Sequence, residues 1–150
     1  MRTFHILPSI CLALLAHTQA ASAACQTTSE QDITALFDQW NAALKSGRPE
    51  RVATKYARRS VLLVPGSTQA LLAPAEKLAY FKRFLERRPT VHIDTRVIAI
   101  DCDMAIDAGT YTFSFADGSR LSTGYSFTYQ RSGGRWRIVS HRASELTVKG

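Results

Sequence analysis

The residues of this chain best equipped for chemistry are His141, Tyr125 and Asp107. Histidine is the side chain whose ordinary pKa lies nearest neutrality, and it works as a general acid or base when a partner orients it within reach of a substrate. A three-residue turn at Ser132-Gly133-Gly134 would set His141 opposite Tyr125 on neighbouring strands, as a proton-transfer pair or as a core histidine bonded to a phenol. Asp107 is a third candidate, since a carboxylate on a strand among aromatics can have a raised pKa and serve as a base. The same register puts it on the opposite sheet face, where a structural hydrogen bond is its expected role. Trp40, Tyr56, Tyr125, Phe127 and His141 form the candidate ligand-binding set, with core packing as the alternative for the aromatics. Asp101, Asp103 and Asp107 lack the glycine and distal glutamate of a calcium loop, and His92 and His141 have no zinc-type spacing, so neither metal nor cofactor is expected. No phosphate loop, dinucleotide fingerprint or Ser-His-Asp pattern occurs.

Positioning these residues needs helices first and strands afterwards. A helix is expected over 29–46, opened by a Thr28/Gln31 capping box and closed by Gly47, with Ile33, Phe37, Trp40 and Leu44 on one stripe. A shorter helix after Pro49 carries Val52 and Tyr56, and a strand over 60–64 stops at Pro65-Gly66. Pro74 opens a third helix that faces Leu78, Phe81, Phe84 and Leu85 inward and ends at Arg88-Pro89. A strand over 91–100 and a three-strand meander complete an α+β chain. Asp117-Gly118 reads as a two-residue hairpin turn. That register puts Tyr111, Phe113 and Phe115 on one face with Trp136, and Tyr125, Phe127 and Tyr129 on the other with His141. Helices cover one face only, so the face bearing Tyr111, Phe113 and Trp136 is expected to pair with a second copy as a homodimer.

The N-terminus has the form of a cleavable leader over 1–24: Arg2, an apolar run from Ile6 to Ala16, then Ala21-Ser22-Ala23. The run is too short to span a bilayer, and the expected location is periplasmic or secreted. Residues 25–150 then form a single domain. Cys25 and Cys102 remain after cleavage and are a candidate disulfide, although Cys25 also stands where a lipoprotein carries its acylated cysteine. With Arg2 removed from 19 basic residues against 12 acids, the mature net charge is +6, spread over helix surfaces and ends. Nucleic acid is not expected as a partner, and adhesion to an anionic membrane surface remains open.

Several motifs occur in a fixed order: Trp40-Asn41-Ala42-Ala43-Leu44, Val52 to Tyr56, Val61-Leu62-Leu63-Val64-Pro65, Tyr80-Phe81, Asp107-x-Gly109-x-Tyr111, Tyr125 to Tyr129, and Trp136-Arg137-Ile138-Val139-Ser140-His141. Together they resemble the nuclear transport factor 2-like superfamily, and within it the calcium/calmodulin-dependent kinase II association domain and its SnoaL-like bacterial relatives. The resemblance implies a cone in which three N-terminal helices pack on a curved antiparallel sheet around a pocket. Two positions at which the kinase domain carries pocket arginines fall on Phe127 and Ala143, so its basic pocket is not reproduced. The expected function is a non-catalytic module that binds a small, largely apolar molecule or serves oligomerisation. The alternative is a small isomerase, cyclase or hydrolase of the SnoaL or ketosteroid-isomerase kind, with a pocket acid or base.

Overall fold

Ser29 starts the first helix: its hydroxyl accepts from the Asp32 amide at 3.2 Å while the Asp32 carboxylate accepts from the Ser29 amide at 2.8 Å. This capping box lies one residue beyond the expected Thr28/Gln31 pair, and it sets α1 at Glu30–Lys45. The computed structural model describes residues 25–146; the expected leader and its cleavage site lie outside the described residues. Ile33, Phe37, Trp40 and Leu44 recur at helical spacing and are all buried. Pro49 opens the short α2 (Pro49–Ala53), after which Tyr56 begins β1 (Tyr56–Leu63) rather than extending the helix. Pro74 opens α3 (Pro74–Glu86), where Glu76 accepts from the amides of Leu72 and Ala73 at 2.9 and 2.8 Å. The inward residues of α3 differ from expectation at one position. Leu78 is 37% exposed, while Lys77 lies against the core and its ammonium reaches the Leu72 carbonyl at 2.6 Å. A long apolar stem lets lysine do this.

The remaining chain forms β2 (Thr90–Asp101), β3 (Met104–Ser114), β4 (Arg120–Ser132) and β5 (Arg135–Glu145). The sheet order is β1-β5-β4-β3-β2, with β1 parallel to β5 and every other pair antiparallel. The helices cover one face of this curved sheet.

Both hairpin registers differ from the sequence expectation, with large consequences. The first loop holds three residues, Ala116-Asp117-Gly118: the Phe115 amide pairs with the Ser119 carbonyl, and Gly118 takes φ +82. Tyr111 therefore faces Thr123 and Phe113 faces Leu121, one residue away from a two-residue turn. A slip of one residue turns a strand over. Tyr111, Phe113, Phe115, Tyr125, Phe127 and Tyr129 consequently share the helix-covered face, and all are buried. The expected dimer face bearing Tyr111 and Phe113 does not exist, because those rings belong to the monomer's own core. The second loop is shorter than expected: Gly133 and Gly134, with φ +57 and +73, join Ser132 directly to Arg135. A bulge at Val139 then shifts the pairing so that His141 meets Phe127 and Tyr125 meets Ala143.

A second bulge, at Asp94 in β2, brings that strand hard against Gly109 of β3. A Cβ on Gly109 would stand 2.0 Å from the Thr95 carbonyl oxygen, and backbone cannot swing aside as a flexible side chain can. Gly109→Ala is therefore expected to destabilise the domain by about 3 kcal/mol, the upper end for overpacking. Urea unfolding measures this, and a loss below about 0.5 kcal/mol, the scatter of neutral surface changes, would refute the close approach.

Candidate functional site

Between α3 and the sheet lies a cavity of about 270 Å³ whose walls include Trp40, Leu62, Tyr80, Phe84 and Phe113. Tyr111 and His141 also line it. Its two charged wall residues, Arg87 and Glu145, are both exposed. Arg87 is fixed over the Phe115 ring at 3.5 Å and donates to the Ser119 hydroxyl at 3.2 Å, tying the end of α3 to the β3–β4 hairpin.

His141 is the polar centre of this region. Its ring lies flat on Phe127, with centroids 3.9 Å apart, and edge-on to Trp40 at 5.4 Å. Nδ1 pairs with the Tyr56 hydroxyl at 2.8 Å and Nε2 with the Tyr111 hydroxyl at 3.3 Å, while the Trp40 indole donates to Tyr56 at 3.2 Å. Burial pushes the imidazole from its ordinary 6.5 down to about 3, so it is neutral at physiological pH. Burial likewise raises Tyr111 and Tyr56, which keep their protons.

The pair expected from sequence, His141 with Tyr125, is divided between two clusters. Tyr125 instead donates to Asp107 Oδ1 at 2.8 Å, and Arg96 Nε donates to the same oxygen at 3.1 Å. Asp107 faces inward with no solvent exposure, the reverse of the expected outward placement, because its strand face is the one that carries Tyr111. Burial raises its carboxyl, against the lowering effect of Tyr125 and Arg96, and burial also raises Tyr125 to about 12. Arg96 lies 5.0 Å over Phe37 and reaches Thr34 at 3.4 Å. Asp107 and Tyr125 belong to none of the cavity's walls. Of the five candidate ligand residues, Trp40 and His141 line the cavity, Tyr56 and Phe127 hold His141 from behind and beneath, and Tyr125 stands apart. Tyr111 was missed in the sequence because the assumed register turned it outward. Among the described residues, no group of His, Cys, Asp and Glu could hold a metal ion.

This α+β cone is the nuclear transport factor 2-like fold. An NTF2-like protein of unknown function from Pseudomonas putida KT2440 superposes with a TM-score of 0.72 at 14% identity, over 84% of this chain and 92% of that one. A Streptomyces avermitilis protein of the NTF2-like family, provisionally described as a dehydratase, gives 0.67 at 15% identity over 79% and 96%. The family is narrower. The calcium/calmodulin dependent protein kinase II association domain matches residues 29–147, and the chain belongs to that family. A Xanthomonas campestris protein, provisionally described as such an association domain, is 37% identical over 83% of this chain and 94% of its own, with a TM-score of 0.75. No curated protein matches the chain.

Proposed function

We propose that this chain is an exported, non-catalytic association module that pairs with a second copy of itself and holds a small, largely apolar molecule in the cavity above His141. The observation that carries the reading is the state of His141: neutral, with both nitrogens engaged by tyrosine hydroxyls, at the edge of a cavity walled mainly by aromatic and aliphatic side chains. Such walls suit burial of an apolar guest. A general base needs a free lone pair and a pKa near the working pH, and His141 offers neither. Asp107, the other candidate base of the enzyme alternative, is sealed by Tyr125 and Arg96 away from the cavity.

Self-association is supported by family membership and by the outer sheet face. Cross-strand rows there run Val97–Ala108–Ser126 and Ala99–Ile106–Thr128, small or apolar side chains with Val97 71% and Ile106 46% exposed. Export is supported by the Cys25–Cys102 disulfide and by the leader-like N-terminus. Among the described residues no helix is long and apolar enough to cross a membrane.

Native mass spectrometry of the protein isolated from the periplasm, at low and then high activation energy, tests both parts. A dimer that sheds a small molecule on activation is the expected result. Ile106→Asp, at an exposed site that leaves the core untouched, is expected to weaken the dimer at least a hundredfold. A wild-type monomer at tens of micromolar removes the association reading.

A further inference from the structure

Two opposite charges stand on the two sides of the cavity, one from α3 and one from the sheet. Tyr80, Phe84 and Arg87 follow one another at helical spacing along α3 and its C-cap, and all three line the cavity. On β5, His141, Ala143 and Glu145 alternate onto the inward sheet face, and all three line it as well. Arg87 and Glu145 are exposed, which sets them at the opening. Among the described residues neither takes part in a salt bridge, with the other or with any further group. Arg87 spends Nη2 on the Ser119 hydroxyl at 3.2 Å and keeps further N–H groups to donate. Its charge acts on the cavity wall: burial raises the Tyr80 phenol to about 12, while Arg83 and Arg87 pull it the other way.

Below this rim the wall is uncharged. His141 is neutral with both nitrogens engaged, and Tyr80 and Tyr111 keep their protons. A ligand charge carried inward would lose its water and gain no partner, so an ionic group belongs at the rim and the apolar body within. The rim then selects by sign. A carboxylate is drawn to Arg87 and repelled by Glu145, and an amine is drawn to Glu145 and repelled by Arg87. A head that carries both charges gains from each side and can keep its like charges apart. The volume of about 270 Å³ suits a compact apolar body. Resting on the cavity-binding reading above, we propose that the ligand is a hydrophobic amino acid. Its aromatic or branched side chain fills the cavity, its carboxylate meets Arg87, and its ammonium meets Glu145.

The test is an NMR titration of the full chain with four probes of one shape. Phenylalanine carries both charges, 3-phenylpropionate lacks the ammonium, phenethylamine lacks the carboxylate, and ethylbenzene lacks both. Phenylalanine is expected to bind about fivefold more tightly than either singly charged probe, the worth of a good ion pair at an exposed site. Added salt should narrow that gap. Glu145→Lys, at an exposed position outside the core, is expected to reverse the order, so that 3-phenylpropionate binds more tightly than phenylalanine. An advantage for phenylalanine below about twofold, under the scale of such a pair, overturns the amino-acid assignment. So does a Glu145→Lys protein that keeps the wild-type order. In either case binding of ethylbenzene or 3-phenylpropionate leaves the cavity reading standing. If none of the four probes binds, both readings fall.

Discussion

Opening the disulfide between Cys25 and Cys102 is expected to cost the domain about 4.5 kcal/mol. The two cysteines are separated by 77 residues. In the chain-entropy account a cross-link of that span removes a large share of the unfolded chain's freedom. The native side of the balance is equally well arranged. Cys102 sits in the β2–β3 turn with φ +47, and Arg131 gathers the same neighbourhood from β4. Its guanidinium donates to Asp103 at 2.8 Å, to the Cys102 carbonyl at 3.3 Å, to the Gln26 carbonyl at 3.1 Å and to the Thr28 hydroxyl at 3.3 Å, beside the Trp136 ring at 5.1 Å. The arm that leads into α1 is held at one point by sulfur and at several by arginine. Urea unfolding of the oxidised protein against the Cys25→Ser/Cys102→Ser double variant measures the effect. A difference under about 1 kcal/mol would mean that the Arg131 contacts alone position the arm and that the chain-entropy account does not apply. A large difference would also strengthen the case for export, since such a chain is stable only where disulfides persist.

The elements were legible in the sequence because each has a local cause: Pro49 and Pro74 start helices, Gly47 stops one, and Gly133-Gly134 makes a turn. The register was not, because Asp117-Gly118 fits a two-residue loop and a three-residue loop alike. A usable signal was nevertheless present. Tyr111, Phe113, Phe115, Tyr125, Phe127 and Tyr129 are all odd-numbered, so one choice of register collects six rings under one helical cover and the other splits them between two faces. Burial favours the first. The site suffered most from the wrong choice. It moved Asp107 and Tyr111 outward on paper, and it coupled His141 to Tyr125 instead of to Tyr56 and Tyr111. Nothing in Ile138-Val139-Ser140 announces the bulge that sets His141 over Phe127. That pairing is tertiary in origin and emerges only when both hairpins are placed.

Acid is expected to destabilise this protein through His141 well before ordinary carboxylates titrate. The imidazole has its ordinary value of 6.5 in the unfolded chain and about 3 when folded, with burial as the cause. The depressed value means that the unfolded state binds the proton first. The stability is thus fully present above 6.5 and drains away as pH falls from there toward 3. Linkage gives a loss of about 2 kcal/mol between pH 7 and 5, growing to about 3 by pH 4. Asp32, Glu76 and Asp117 are held below the usual carboxylate range, chiefly by hydrogen bonds, and act in the same direction only at lower pH. Asp107 acts with the opposite sign: burial raises it, so the folded state takes up that proton first and acid favours folding. Its contribution cancels when two proteins that both retain it are compared. His141→Gln keeps a polar group near Tyr56 and Tyr111 but carries no titrating ring, so its stability should change by about 2 kcal/mol less than wild type between pH 7 and 5. An NMR titration of the His141 ring in the native protein is the companion measurement, and no protonation should be seen at pH 5. A variant with the wild-type slope, or a ring that titrates near 6, would mean that water reaches His141. A solvated, chargeable imidazole would also reopen proton transfer, so the same experiment separates a binding module from an enzyme.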